Sequence, residues 1–304
     1  MKTISIIIPN FNNAKWLPIC LDSCLQQEGN FKKEIIIVDD HSNDDSWSIL
    51  TDYKKEFPNE VFVYKNPNKG GNSARNYGFS KSSGEFIQWL DSDDSLLPMK
   101  LNTQSNYFEN YPEVDMVYSD WQMDFYEDGK FSHSEIKRNQ NEPDYLTYLL
   151  RNNWQANSAY LIRRELAIEL SEIGLWSLTT KVGQDREYFT QAAIIGARID
   201  FVPGVFSIYN RWSTNTISNA MDFRSNLIQN LELNQRFLSS IVGTSLLHKK
   251  QYISILNAEL LNALFYFPLL KLPRHFFPWE LNIKHWHWKK VFLSPLLYVW
   301  HIFR

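Results

Sequence analysis

The chain has 304 residues, of which 44% are hydrophobic and 21% charged, and its formal net charge is −3. This composition is ordinary for a soluble globular protein, and the weakly negative total gives no indication of a nucleic-acid partner. The length suffices for one large domain, or for one domain with an appendage. We expect no signal peptide, because a strand-like run begins directly after Lys2, and no spanning helix, because no apolar run reaches roughly 18–20 residues.

The two cysteines, Cys20 and Cys24, are spaced to lie on one face of a helix. A zinc site needs further ligands, and none lies near them in the sequence. We therefore expect two free, buried thiols in a reducing cytoplasm.

The first ninety residues alternate between β-branched runs and helical periodicity. Strands are predicted at residues 4–8, 34–38, 61–64 and 85–90, and helices at residues 12–27, 46–57 and 73–82. Such alternation predicts an α/β fold with a doubly wound, mainly parallel sheet and helices on both faces. Ligands of such sheets bind at the carboxyl ends of the strands. Three polar clusters follow these strands, at residues 9–12, 39–40 and 91–94, and we expect them to converge.

The remainder of the chain is less regular. Strands are predicted at residues 115–118, 154–162 and 198–202, with helices at 145–151, from 164, and at 185–195. Residues 120–141 are polar and poorly periodic, which indicates a hairpin or a mobile loop. After about Met221 long amphipathic helices follow. We place a boundary near Ser218, with a catalytic domain over residues 1–218 and a helical C-terminal region over residues 219–304.

Asp91 and Asp93 are the central candidates for chemistry. Two carboxylates two positions apart, just past a buried strand, can reach one hard cation, and Mg²⁺ or Mn²⁺ prefers oxygen ligands. The alternative is an aspartate-rich turn that caps the following helix.

Asp39 and Asp40 follow the second strand, where a carboxylate can accept a hydrogen bond from a base imide or can cap a helix. Arg75 offers planar donors for phosphate, or is a surface arginine.

These segments resemble, in order and spacing, the successive motifs of family-2 glycosyltransferases. The resemblance covers about residues 2–218. It rests on seven segments, IIIPNFN (6–12), EIIIVDDHS (34–42), KGGNSARNYG (69–78), GEFIQWLDSDD (84–94), NSAYLIRRE (157–165), GQDREYF (183–189) and FSIYNRWSTNTIS (206–218).

The resemblance implies a GT-A fold, a nucleotide-sugar donor, a divalent metal and inversion at the anomeric carbon. Asp91 and Asp93 match the metal and diphosphate motif, and Asp185 matches the catalytic base. Substrate contacts are implied for Pro9, Asn10, Asn12, Asp39, Asp40, Arg75, Asn76, Asp91, Ser92 and, at the diphosphate, Arg211. Two positions depart from the family pattern: Gln184 stands where glutamate is usual, and Ser213 stands where a histidine is frequent, which leaves no obvious third metal ligand.

Asp185 also has a physical rationale. Inverting transfer needs a base that takes the proton of the acceptor hydroxyl, and one carboxylate within hydrogen-bond reach is sufficient. The alternative role is the N-cap of the helix that follows.

The expected function is transfer of a sugar to a hydroxyl of a glycan or lipid-linked acceptor. The donor is expected to be a UDP-sugar, and the expected role is in cell-surface polysaccharide or glycoconjugate synthesis. The alternatives are a metal-dependent nucleotidyltransferase and a non-catalytic nucleotide-sugar binding module. The nucleotidyltransferase is disfavoured because residues 9–14 (PNFNNA) contain no Lys, Arg or Gly to cradle a triphosphate. Loss of Asp93 or Asp185 would have favoured the binding module, and both are present.

The C-terminal tail, residues 261–304, carries six Lys/Arg residues against one acid, together with four tryptophans. Short apolar runs broken by prolines suit helices that lie in the headgroup region of an anionic membrane. We therefore expect a peripheral enzyme at the inner face of the cytoplasmic membrane. The alternative is that the aromatic side chains pack on the catalytic domain or on a second subunit of a homodimer.

Overall fold

The computed structural model describes residues 1–174, 176–212 and 223–265. The chain divides into two compact units, Met1–Ala220 and Met221–Arg304. The division falls close to the boundary predicted near Ser218.

The first part of the chain forms β1 (Thr3–Asn10), α1 (Leu17–Leu25), β2 (Lys32–Asp39), α2 (Ser46–Glu56), β3 (Val61–Lys65), α3 (Gly71–Lys81) and β4 (Phe86–Trp89). The four strands form a parallel sheet in the order β3-β2-β1-β4. The cores of β1 and β2 are β-branched and buried, as the sequence pattern predicts. Helix α1 is shorter than predicted: it begins beside Pro18, and residues 12–16 form the connection after β1.

The second half of the unit contains β5 (Ser95–Leu96), α4 (Lys100–Asn110), β6 (Met116–Glu127), β7 (Lys130–Lys137), α5 (Tyr145–Leu150), β8 (Leu161–Arg163), α6 (Arg164–Glu172), α7 (Gln184–Ile194) and β9 (Ile199–Trp212). These strands complete a mixed sheet in the order β3-β2-β1-β4-β8-β6-β9-β5, with β7 paired to β6. Strands β6 and β9 are parallel, whereas β8 is antiparallel to β4 and β6.

Three sequence predictions change here. Residues 120–141 contain a hairpin, β6–β7, and the alternative of a mobile loop is wrong. The strand predicted at residues 154–162 is confined to β8, since Asn157–Ala159 form a 3-10 turn whose three residues are buried. Burial of a short apolar run does not distinguish a strand from a packed turn. Strand β9 extends ten residues beyond the predicted end at residue 202, because it pairs with the whole of β6.

Helices cover both faces of the parallel half, as predicted. Ile35 of β2 belongs to the core cluster that includes the buried residues of α1 and α2, whereas Ile36 packs with Ala74 of α3. Helix α3 approaches β1 closely at Gly78, where a Cβ atom would lie 2.6 Å from Ile7 Cγ2. The alternation along β2 therefore builds a core on each side of the sheet.

In its described part, the second unit consists of α8 (Phe223–Val242) and α9 (Lys249–Phe265), which pack against each other. Phe237 and Ile241 of α8 and Leu256 of α9 are fully buried, as predicted for these three positions. Among the described residues no helix is long and apolar enough to cross a membrane. Most of the basic tail, residues 266–304, lies outside the described residues, as does Ser213, and the predictions for them remain predictions.

Candidate active site

Hydrogen bonds between polar side chains join the carboxyl ends of β1 and β2. Asn10 Nδ2 donates to Asp39 Oδ1 at 3.0 Å and to Ser42 Oγ at 3.2 Å. The buried Asp39 accepts with its Oδ2 from the Ser42 amide at 3.2 Å. Asn10 Oδ1 is buried and has no partner among the described residues. A bound ligand can therefore satisfy this polar atom.

The loop after β1 is tied to the loop after β2. The Asn12 backbone amide donates to Ser42 Oγ at 3.0 Å, and Asn12 Oδ1 accepts from the Asn43 amide at 2.8 Å. Asn12 has φ 49°, a left-handed conformation that asparagine tolerates better than most residues. Pro9 precedes this loop and is half-buried. The predicted nucleotide residues therefore form one connected edge.

Asp40 connects the end of β2 to the loop before α3. Its Oδ1 accepts from Asn66 Nδ2 at 2.7 Å, and its Oδ2 accepts from the Gly70 amide at 2.8 Å. Gly70 has φ 101°, which favours glycine at this turn. A carboxylate oxygen has two lone pairs and can accept a second hydrogen bond, so these contacts leave capacity for a base imide.

Arg75 and Asp91 form a close ion pair between α3 and the end of β4. Arg75 Nη2 lies 2.6 Å from Asp91 Oδ1, and Arg75 Nη1 donates to Asn72 Oδ1 at 3.2 Å. The guanidinium lies over the ring of Trp176, 4.5 Å from its centroid. Arg75 is buried, so the alternative of a solvated surface arginine is wrong. Its positive charge lies among the acids that follow β4.

Strand β9 holds the next two aspartates. The Trp212 indole Nε1 donates to Asp93 Oδ2 at 3.0 Å, and the Asn210 backbone amide donates to Asp94 Oδ1 at 2.9 Å. The Asn210 side-chain amide also donates to the backbone carbonyl of Asp93. Asp94 is buried, and its Oδ2 has no partner among the described residues. Residues of β9 therefore hold the turn after β4 in place. A turn that only caps the following helix would not need these contacts.

The acids in this group share an excess of negative charge. Burial, and then the charge of Asp91, raise the pKa of Asp93 to about 6. Burial and the neighbouring carboxylates of Asp93 and Asp91 also raise the pKa of Asp94. Asp185, in the first turn of α7, is partly buried, and burial together with Asp91 raises its pKa to about 7, against the opposing effect of Arg75. Electrostatic interactions therefore connect Asp185 with the acids after β4.

This charge excess fits a divalent cation. The hydrogen bonds above engage one carboxylate oxygen each of Asp91 and Asp93, and the second oxygens are ligands that hard cations prefer. Within the described ranges, no three His, Cys, Asp or Glu side chains gather as a metal-binding group. A cation at this pair would therefore need water or other oxygen ligands from outside the protein, as Mg²⁺ commonly does.

Three other predicted site residues have distinct positions. Ser92 is buried and its Oγ accepts from Asn13 Nδ2 at 3.0 Å, beside the aspartates. Asn76 uses both ends of its amide on the backbone of Trp176, at 2.9 and 3.1 Å. Arg211 is exposed, with its guanidinium 5.7 Å from the ring centroid of Phe125. Successive side chains of a strand point to opposite faces, so Arg211 is turned away from the acids that Asn210 and Trp212 contact.

Sequence reasoning missed several residues of this site. Trp176, Asn210 and Trp212 contact Arg75 or the aspartates, yet none forms a spacing motif with them. An aromatic residue beside a cluster of acids acquires its role only through the tertiary fold.

Cys20 and Cys24 are both free and buried, as predicted, and Cys20 Sγ lies 3.6 Å from the carbonyl oxygen of Asp91.

The chain is similar to known proteins both in sequence and in fold. The chain is similar to the minor teichoic acid biosynthesis protein GgaB of Bacillus subtilis strain 168, at 34% identity over 115 residues, which is 37% of this chain and 13% of that protein. Its fold is similar to the crystal structure of S. aureus TarS 1-349 in complex with UDP-GlcNAc, with a TM-score of 0.70, 18% identity, and coverage of 90% of this chain and 77% of that one. It is also similar to the mannosyltransferase PcManGT from Pyrobaculum calidifontis in complex with GDP-Man and Mn²⁺, with a TM-score of 0.52, 16% identity, and coverage of 90% and 81%.

The chain spans 13% to 35% of the length of the first curated relatives that it matches. The two structures share under a fifth of their residues with it, so they establish the GT-A type of fold and no substrate. The sequence profile "Glycosyl transferase family 2" matches residues 5–170, more than half of the chain. From this match, together with the GT-A fold and the edge of aspartates, we conclude that the chain belongs to glycosyl transferase family 2.

Proposed function

We propose that this protein is an inverting glycosyltransferase that moves a sugar from a UDP-sugar to a hydroxyl of a glycan or lipid-linked acceptor. The observation that carries the proposal is the group formed by Arg75 and four aspartates, Asp91, Asp93, Asp94 and Asp185, at the carboxyl edge of the sheet. Separate elements bring these side chains together, which a purely structural role does not require.

The roles of the residues follow from their positions. Asp185 accepts the proton of the acceptor hydroxyl, whose oxygen forms a bond to the anomeric carbon from the face opposite the nucleotide. The bond between that carbon and the diphosphate oxygen breaks, and the electron pair leaves with the nucleoside diphosphate. Its raised pKa near 7 makes Asp185 a stronger base than an ordinary aspartate. The product has the opposite anomeric configuration to the donor.

The donor side is assigned to the edges of β1, β2 and β4. Asp40, Asn10 and Asn12 contact the nucleotide, with Pro9 and Asp39 supporting them, and Arg75 lies at the sugar and diphosphate. Asp91 and Asp93 are the protein ligands for Mn²⁺ or Mg²⁺, which when bound offsets charge on the leaving diphosphate. The complex of the TarS fragment contains UDP-GlcNAc and that of PcManGT contains Mn²⁺, which supports both assignments by analogy of fold.

A role in cell-surface glycan synthesis is supported by the similarity to GgaB, a minor teichoic acid biosynthesis protein. We assign the reaction to the inner face of the cytoplasmic membrane, with residues 1–218 as the catalytic domain. The basic, tryptophan-rich tail supports peripheral contact with anionic lipid.

Incubation of the protein with a panel of nucleotide-sugars and Mn²⁺ tests the proposal. Release of free UDP and sugar identifies a glycosyltransferase and its donor. Pyrophosphate release from UTP and a sugar 1-phosphate, assayed in parallel, would instead identify a nucleotidyltransferase, and donor binding without turnover would identify a binding module. With a glycoside acceptor added, anomeric inversion is then read from the NMR coupling constant of the glycosidic product, because a free sugar mutarotates; a retained configuration would overturn the mechanism.

A further inference from the structure

A narrow, partly enclosed cleft lies beside Asp185 in the first unit, with a volume of about 180 Å³ when the part open to bulk water is included. The residues that line it include Leu149, Trp154, Gln155, Tyr160, Asp185 and Phe189. Most of these side chains are buried, whereas Trp154 is exposed. The cleft therefore places an exposed aromatic ring next to a carboxylate, and binding sites combine apolar surface with a few oriented polar groups in this way.

Trp154 is the exposed member of this lining. It is 40% exposed, although tryptophan usually buries most of its surface. Two rings hold it edge-to-face: Trp121 of β6 at 4.9 Å and 89°, and Tyr209 of β9 at 5.0 Å and 75°. Because sheet residues pack around it, the indole is presented to solvent in one orientation and loses little entropy when a ligand covers it.

Hydrogen bonds also fix the chain on either side of Trp154. Gln155 Oε1 accepts from the Trp121 indole at 2.8 Å, and Gln155 Nε2 donates to the Tyr148 hydroxyl at 2.9 Å. Asn153 Nδ2 donates to the Tyr148 carbonyl at 2.9 Å. The segment that carries Trp154 is therefore held by its neighbours on both sides, which favours a preformed binding surface.

Tyr209 connects this surface to the aspartates. Its ring contacts Trp154, and burial together with the charges of Asp94, Asp91, Asp93 and Asp185 raises its pKa. Trp154 is thus one aromatic ring away from the acids that are assigned to donor and base.

We propose that the Trp154 indole is the platform for the sugar ring of the acceptor, which lies with its C–H face on the indole and directs a hydroxyl to Asp185. This subsite rests on the proposed function and deepens it by assigning the acceptor class: a cyclic glycosyl unit, because an open-chain polyol has no flat apolar face to cover an indole. The cleft is too narrow to take a sugar ring, so the ring lies outside it and one stacked face is the main contact.

The variants Trp154→Ala and Trp154→Phe test the platform, with Tyr111→Ala as a matched control. Tyr111 is also an exposed aromatic residue (45%), and it lies after α4, next to the beginning of β6. The first measurement is saturation-transfer NMR of the wild-type protein with methyl glycosides of glucose, galactose, mannose, N-acetylglucosamine and N-acetylgalactosamine, with ribitol as the open-chain comparison. The second measurement is UDP release with and without the methyl glycoside that binds best.

We expect transfer of saturation to at least one methyl glycoside and none to ribitol. Trp154→Ala should weaken glycoside binding and raise the acceptor KM by about tenfold, which is the loss of one stacked ring, and Trp154→Phe should lie between it and the wild type. UDP release without acceptor, and the acceptor KM, should stay at the wild-type values in the control Tyr111→Ala. Unchanged glycoside binding in Trp154→Ala, or no binding of any methyl glycoside to the wild type, would overturn the subsite. The proposed function is tested separately, because it depends on UDP release and on anomeric inversion and not on Trp154.

Discussion

Replacement of Asp185 by asparagine keeps the shape of the side chain and removes its basicity. With a pKa of about 7, roughly half of the Asp185 side chains are ionised at pH 7 and about nine-tenths at pH 8. The wild-type turnover should therefore rise with pH through this range, and a cation beside Asp91 should move the rise to lower pH by stabilising the carboxylate. Asp185→Asn should lack the rise and lose roughly a hundredfold or more in kcat, or about 2.7 kcal/mol of transition-state stabilisation.

The same substitution should stabilise the metal-free protein. The pKa of Asp185 is raised from 3.8 to about 7, so the folded state binds its proton more tightly than the unfolded chain does. Stability is therefore lost as pH rises through this window, with about 4 kcal/mol as an upper limit for this group. Asparagine carries no charge, so urea unfolding at pH 8 without metal should give a higher free energy of unfolding for Asp185→Asn, and the difference should vanish near pH 4.

The assays are UDP release over a pH series, donor binding by calorimetry, and urea unfolding. Asp200→Asn is the control, because Asp200 accepts from the Tyr107 hydroxyl at 3.0 Å on β9 and has no assigned catalytic role. Its amide retains an acceptor for that bond, so we expect wild-type turnover. Equal losses of donor affinity and turnover in Asp185→Asn would assign the residue to the donor pocket, and a lower stability at pH 8 would refute the electrostatic reasoning.

Three further predictions concern the metal, a loop contact and the tail. Asp93→Ala should reduce transfer by roughly a hundredfold or more, and chelation should inactivate the wild type until Mn²⁺ or Mg²⁺ is restored; full activity in excess chelator would contradict the metal assignment. Asn76→Ala removes both side-chain hydrogen bonds to the Trp176 backbone and should lower the free energy of unfolding by about 1–3 kcal/mol in urea titrations. The control Asn110→Ala removes one hydrogen bond at an exposed helix end and should have little effect. Equal effects of the two variants would rule out the loop contact. The full chain should sediment with anionic liposomes at low salt and a chain ending at residue 267 should not; if both stay in the supernatant, the tail has a packing or oligomer role.

Local sequence pattern was sufficient for much of the parallel half of the sheet. The runs around Ile6 and Ile36 are β-branched, and helical periodicities separate them, so strand, helix and burial follow from neighbouring residues alone. The positions of Asp39, Asp40 and Asp91 also follow, because parallel strands place their carboxyl ends at one edge. The resemblance to the family then supplied the roles that spacing alone left open, such as the base role of Asp185.

The extent of β9 and the partners of the aspartates could not be obtained this way. Pro203 and Gly204 interrupt the pattern of β9, and only its pairing with β6 carries the strand on to Trp212. Arg211 belongs to a family motif, yet side chains alternate along a strand, so Arg211 points away from the aspartates. Its neighbours Asn210 and Trp212 contact them instead.

The sequence by itself determined the family, the parallel sheet and the edge at which the acids lie, because these depend on local periodicity and on residues close in the chain. Tertiary structure alone decided that Trp176 lies over Arg75, that β9 holds Asp93 and Asp94, and that Trp154 stands beside Asp185. Each of these contacts joins residues far apart in sequence. Their pKa values and exposures depend on burial and on neighbouring charges, which exist only once the chain has folded.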